Sequence, residues 1–409
     1  MPINDPFVAS LAAGLTTAHD TDFFRLHDRL TADDLAVRDR VRGFVEGSVL
    51  PVINDYWERA EFPFELLPAL AGLGVVGSQI RGHGCPGLTP LQAGLVTTEL
   101  SRGDGSINTF MGVQSNLTMG AIDILGSDEQ KERWLPRMAR LELIGAFALT
   151  EARHGSDSVR IETTAHRDGD HWVLNGSKRW IGNAGYAHVV IIWARDVADG
   201  KVKAFVLQRE PEEDFPGTYE AQDITGKVGK RAILQPDIVF ADLVIPEADR
   251  LPGAGSFRDA TRVLDRTRGG ASWEALGHAI AAYEAAVSYA TTREQFGGPI
   301  GRFQLIQAKL AEMAAELSAI QLMCFRMAEL QAEGTWTGTM ASITKMSSAN
   351  KARWICQQAR DILGGNGLVL DFHVARHLTD MEVVHTYEGT EQIQSLLIGR
   401  EITGISAFA

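Results

Sequence analysis

Through residues 1–147 the apolar positions fall three and four apart. Thr31-Ala-Asp-Asp34 reads as a helix start, and Val37, Val41, Phe44 and Val45 share one face behind it. The same spacing predicts helices over 64–72, 90–102 and 128–140. Arg81-Gly-His-Gly-Cys-Pro-Gly87 interrupts them and reads as a corner, or less simply as a loop approaching a ligand. Near 148 the period shortens to two. Asn175-Gly176 predicts a hairpin turn between strands at 172–174 and 178–181, and Asp199-Gly200 another between 188–193 and 202–207. A further strand is expected at 237–240, running on to 243–245. From 259 onward helical stripes return, near 259–293, 303–333 and 341–363, lengths suited to a bundle. Gly364-Gly-Asn-Gly367 reads as a helix stop. The pattern predicts a mainly α chain around a small antiparallel β unit, divided as 1–147, 148–258 and 259–409.

Composition narrows the function classes. Apolar residues make up 45% of 409, yet no apolar run reaches the ~18 residues of a membrane span. Met1-Pro-Ile-Asn-Asp-Pro6 carries no secretory pattern and Ser406-Ala-Phe-Ala409 no peroxisomal one, so a cytoplasmic enzyme is expected. The net charge of −13 is spread along the chain, which argues against nucleic acid and against a membrane surface. Cys85, Cys324 and Cys356 fit neither a metal spacing nor a disulfide framework, and no metal is expected.

The candidate chemistry lies in His385-Thr-Tyr-Glu-Gly-Thr-Glu-Gln-Ile-Gln394. Glu388 follows an aromatic and precedes Gly389, where backbone can be approached closely. Thr390 is a good N-cap for a helix over 391–402, whose dipole favours a nearby carboxylate. On the residues alone, the simpler reading is a solvated acid ahead of a helix. The sharper one is a general base.

Tyr387-Glu-Gly-Thr390, with Ile398-Gly-Arg-Glu-Ile-Thr-Gly404, resembles the C-terminal end of the acyl-CoA dehydrogenases. The likeness is greatest to the branch holding glutaryl-CoA dehydrogenase and the plant short-chain acyl-CoA oxidases, and it covers all but the first ~30 residues. It implies an N-terminal helical domain, a middle β-barrel-like or sandwich domain and a C-terminal four-helix bundle. It also implies FAD, an acyl-CoA substrate, electron-transferring flavoprotein as acceptor, and a homotetramer built as a dimer of dimers. Glu388 would be the base that removes the α-proton.

By the same resemblance Phe147, Leu149 and Thr150 would meet the flavin ring, Ser156 the cofactor phosphates and the CoA arm, and Trp180 the flavin face. On pattern alone, Thr150 reads as a strand end and Trp180 as core. Gly182 stands where the family usually has Thr or Ser near flavin N5, which removes a donor and leaves room there. Arg293, Gln295, Phe296 and Gln304 would reach FAD across a dimer interface, although Arg293 alone reads as a surface residue at a helix end. Asp361, Gly364, Gly365, Thr390 and Gln392 would complete the cofactor site. Asn108, Thr109, Tyr387, Gly389 and Phe408 would touch substrate. Arg268 is expected below the acid, holding its pKa low. Position 267, near which other branches carry their base, is Thr. Ser101 and Asn108 stand where glutaryl-CoA dehydrogenase reads a distal carboxylate, so a neutral acyl chain is expected. The rivals are an acyl-CoA oxidase using O2, a flavin-dependent N-hydroxylating relative, and a non-catalytic helical assembly protein.

Overall fold

The computed structural model describes residues 5–15 and 19–407. In the N-terminal part, α1 (Ala32–Phe44) starts at Thr31 with a capping box closed by Asp34, and Val37, Val41 and Phe44 face the core. Phe64–Leu66 and Leu67–Gly72 form a short compound helix, and Arg81–Gly82 pairs with Cys85–Pro86 as a small corner hairpin. Helix α2 (Pro90–Gly103) begins with a Thr89–Gln92 capping box. Asp104 then caps α3 (Gly105–Met111), which runs into a π-helical stretch at Gly112–Thr118. Such wide turns reposition side chains and recur at functional sites. Helix α4 (Asp128–Ala139) closes this part.

The sheet comprises β1 (Gly145–Ala148), β2 (Thr164–Asp168), β3 (His171–Lys178), β4 (Val189–Asp196), β5 (Val202–Gln208), β6 (Tyr219–Asp223) and β7 (Pro236–Pro246). Their order is β1-β4-β2-β3-β7-β6, with β5 paired to β4. The central sheet is where the pattern puts it, but it is mixed: β1 and β2 both run parallel to β4. Val189-Val-Ile-Ile-Trp193 is apolar at every position because both its faces are covered. Val190 and Ile192 join an inner core with Trp172 and Phe205, while Ile191 and Trp193 pack toward the N-terminal helices.

One predicted turn is displaced. Asn175-Gly176 lies inside β3 as a bulge, and the chain turns at Gly169-Asp170 instead. The Asn175 side chain is occupied by the amide and carboxylate of Asp242 on β7, at 2.9 and 3.0 Å. Gly176 has φ 149°, and a Cβ there would stand 2.7 Å from the Thr163 backbone. The Asp199-Gly200 turn forms as expected, with Gly200 at φ 70°. The strand expected at 178–181 stops at Lys178, after which Trp180 turns left-handed at φ 65°.

The stretch predicted at 259–293 is two helices, α5 (Phe257–Arg268) and α6 (Gly270–Thr292), parted at Gly269. Helices α7 (Gln304–Ala332), α8 (Gly338–Ile362) and α9 (Val374–Thr386) follow. They pack with α6 around a core that includes Leu276, Leu317, Ile355 and Val384. Gly364, at φ 58°, stops the run after α8 as expected. The last helix, α10 (Glu391–Thr403), is capped by the Thr390 hydroxyl, which accepts from Ile393 N at 3.3 Å. No described helix is long and apolar enough to cross a membrane.

Candidate active site

A cavity of about 490 Å³ opens where the sheet, the N-terminal helices and the bundle meet. Glu388 stands on its wall, in the loop between α9 and α10. The loop is held by its carbonyls. Lys345 Nζ on α8 donates to His385 O at 3.2 Å and to Gly389 O at 2.8 Å, and Gln394 Nε2 donates to Glu388 O at 2.9 Å. Glu388 itself is left-handed, φ 55°, followed by Gly389 at φ 83°. A left-handed glutamate costs on the order of 1–2 kcal/mol, a strain the fixed loop sustains. Among the described residues no acceptor engages the Glu388 N–H.

Thr267 at the end of α5 lies with its hydroxyl 2.7 Å from Glu388 Oε2 and 2.9 Å from Leu264 O. A hydroxyl has one hydrogen. It therefore donates either to an ionised Glu388 or to Leu264 while accepting from a protonated one. Burial raises the pKa of Glu388, and Thr267, Arg268 and Lys345 offset only part of that rise. The expected low pKa is thus corrected. Arg268 lines the cavity, but its charge is shared with Asp265 at 3.1 Å and it ranks below desolvation.

Of the residues expected at a flavin ring, Phe147, Leu149, Thr150, Ser156, Trp180 and Gly182 all line this cavity. The Trp180 indole is 47% exposed, large for a tryptophan, and the Arg179 guanidinium lies 5.0 Å from its ring centre. The hydroxyls of Thr150 and Ser156 make no hydrogen bond among the described residues. An aromatic face beside free hydroxyls fits a flat ring system with a polar edge. Behind this wall, buried Lys178 donates to Leu149 O at 3.2 Å and Glu151 Oε1 at 2.8 Å. Burial lowers the Lys178 pKa to about 8. Glu151, His154 and Glu162 bring possible ligand atoms within 4.8 Å of one another, but Lys178 and Thr163 already occupy Glu151 Oε1.

The room expected beside Gly182 is partly filled. A Cβ at that position would stand 3.1 Å from Val113 Cγ2, because the π-helical stretch turns Val113 toward it.

Asn108, Thr109, Tyr387 and Gly389 line the cavity as expected, whereas Phe408 lies outside the described residues. Ser101 is turned away: buried against α6, its hydroxyl donates to Thr97 O at 2.7 Å. Two residues not expected here support the wall, Glu274 lining the cavity and Lys230 fully buried behind it. Glu274, one turn into α6, accepts from Lys230 and from the Tyr387 hydroxyl. Lys230 also donates to Thr109 Oγ1 at 2.6 Å and Tyr387 Oη at 2.7 Å. Burial and Glu274 push the Tyr387 pKa well up, so the phenol stays protonated. An acid in α6 could have drawn notice as a polar interruption of an apolar helix; Lys230, in a loop, gave no signal.

The remaining expected cofactor residues do not reach this cavity within one chain. Arg293 stacks 5.6 Å from the Phe7 ring centre, Gln295 sits in a short exposed hairpin, and Phe296 is 89% exposed. Gln304 starts α7, Asp361 pairs with Lys309, and Gly364 and Gly365 follow α8. Thr390 and Gln392 open α10 on its outer side.

Family models for the acyl-CoA dehydrogenase N-terminal, middle and C-terminal domains match residues 31–142, 146–243 and 255–403. The mitochondrial short-chain specific acyl-CoA dehydrogenase of Bos taurus is 34% identical over 368 residues, 88% of each chain. Two structures of glutaryl-CoA dehydrogenase from Mycobacterium smegmatis, one in complex with FADH2, superpose with TM-score 0.92. They are 37% and 33% identical, covering 96% of this chain and 100% of theirs. Butyryl-CoA dehydrogenase from Megasphaera elsdenii gives TM-score 0.85 at 30% identity, over 91% of this chain and 98% of that one. In sequence and in fold, this chain belongs to the acyl-CoA dehydrogenases, a family of FAD-binding oxidoreductases.

Proposed function

We propose that the chain carries out FAD-dependent α,β-dehydrogenation of a short or branched, neutral acyl-CoA, giving the trans-2-enoyl-CoA. The observation that carries this reading is Glu388: a half-buried carboxyl group on a strained residue, in a loop fixed by its carbonyls, on the wall of the cavity. Glu388 takes the α-proton, and its raised pKa leaves it a stronger base than a solvated carboxylate. The Glu388 N–H, unengaged among the described residues, is free to polarise the thioester carbonyl, which would make that proton acidic enough to leave. Phe147, Thr150, Ser156, Trp180 and Gly182 would hold the flavin end of FAD. FAD, when bound, supplies the acceptor for the hydride from Cβ.

The substrate class follows from what the wall lacks. Asn108 offers no cation, Ser101 is turned away, Lys230 is committed to Glu274, and Arg268, the cation on the wall, is paired with Asp265 at 3.1 Å. A dicarboxylate tail buried here would leave a charge unpaired, at a cost of several kcal/mol by order of magnitude. Electron-transferring flavoprotein is the proposed acceptor, because Val113 fills space beside Gly182 that O2 would need. Anaerobic mixing with butyryl-, isobutyryl- and glutaryl-CoA tests the reading. The neutral thioesters should bleach the flavin far faster, and reoxidation in air should yield little peroxide. Fast bleaching by glutaryl-CoA with release of CO2 would overturn the substrate assignment, and stoichiometric peroxide the acceptor.

A further inference from the structure

The wall opposite a purely apolar acyl tail should be apolar, and here it is not. Asn108 is only 7% exposed, lines the cavity, and its side-chain amide makes no hydrogen bond among the described residues. The residue is otherwise enclosed, so its amide opens only to the cavity, where its donors and acceptor are available to a bound group. Next to it, Thr109, Lys230, Glu274 and Tyr387 form one connected cluster, and Tyr387 adjoins Glu388 in the chain. Through Thr109 and Lys230, Asn108 is thus tied to the Tyr387 side of the cavity, beside Glu388.

The cluster itself offers no free charge, and Arg268 elsewhere on the cavity wall is paired with Asp265 at 3.1 Å. An ammonium has three donors, and those of Lys230 go to Thr109 Oγ1, Glu274 Oε1 and Tyr387 Oη. None is left for a substrate carboxylate. Glu274 in turn receives Lys230 on one oxygen and Tyr387 on the other, so a substrate cation would have to displace Lys230. The pair is self-neutralised, and only a neutral group enters without breaking it.

We propose that Asn108 receives a neutral hydrogen-bonding group, a hydroxyl or a carboxamide, carried near the far end of the acyl chain, so that the preferred thioester is polar-ended rather than methyl-ended. This rests on the acyl-CoA reading above and sharpens it. Binding is measured on the FAD-loaded Glu388→Gln protein, which cannot remove the α-proton, by titrating paired thioesters in which OH replaces CH3. The pairs are 4-hydroxybutyryl- against valeryl-CoA and 5-hydroxyvaleryl- against hexanoyl-CoA. In at least one pair the hydroxyl member should bind about 10-fold tighter or more, since a site built to bond a hydroxyl rejects the analogue lacking it. Asn108→Leu, close in volume, should abolish or reverse that preference. Equal or tighter binding of the methyl-ended member in both pairs overturns the inference, even if Asn108→Leu fails to fold. An unchanged preference in Asn108→Leu overturns it equally. The same thioesters added to the wild-type protein separate the two levels. Bleaching without the polar preference leaves the dehydrogenase reading standing, while no bleaching by any member removes both.

Discussion

At the scale of single residues the catalytic account depends on the coupling of Glu388 to Thr267. Burial raises the glutamate pKa, and the hydroxyl 2.7 Å away favours the charged form. The rate of flavin reduction should therefore rise with pH along a limb lying above the ordinary carboxylate range, as the base loses its proton. Thr267→Val removes a stabilising donor, so the limb should move to higher pH while the plateau changes less. A stopped-flow pH profile checks this, and a limb unmoved or moved downward would count against the coupling. Glu388 was legible in the sequence because Tyr387, Gly389 and Thr390 surround it contiguously. Thr267, Lys230 and Glu274 were not, because they meet it only after three separate segments fold together, Lys230 lying 157 residues from Tyr387.

Among the elements, β3 shows where pattern reading succeeds and fails. Asn-Gly carries the strongest local turn signal, yet the Asn175 side chain is claimed by Asp242, 67 residues away, and the pair becomes a bulge. Tertiary pairing overrode a local preference that the sequence could not weigh against it. Gly176→Ala should lower stability by roughly 1–3 kcal/mol in urea unfolding, because the new Cβ meets the Thr163 backbone at a φ unsuited to alanine. Two residues on, Lys178 makes a second case. Glu151→Gln removes the anion facing a fully buried ammonium and should cost about 3–5 kcal/mol. It should also disturb flavin retention, since Lys178 anchors the Leu149 carbonyl beside Thr150. A Glu151→Gln protein of unchanged stability would show that Lys178 is neutral in the fold. Helix caps at Thr31 and Thr390 were legible because a cap needs only neighbours three residues on.

For the molecule as a whole, the three-part architecture could be read from the change of period alone, helical to alternating to helical. The parallel pairing of β1 and β2 with β4 could not, since periodicity does not report strand direction. The outlying residues Arg293, Phe296 and Gln304 form a group apart from the cavity, with Phe296 almost wholly exposed. The family resemblance implies a homotetramer, in which they would reach FAD held by a neighbouring subunit. Arg293→Ala should then lose FAD on dilution, and added FAD should partly restore thermal stability by mass action. A monomer that holds FAD stoichiometrically would contradict the shared site. The most direct test of the central claim is single-turnover flavin bleaching of the FAD-loaded protein, mixed anaerobically with butyryl-CoA, in the wild type and in Glu388→Gln. The account predicts that the variant keeps its FAD and binds the thioester, yet bleaches at least ~10²-fold more slowly. Bleaching of Glu388→Gln at a rate near that of the wild type would show that Glu388 is not the base.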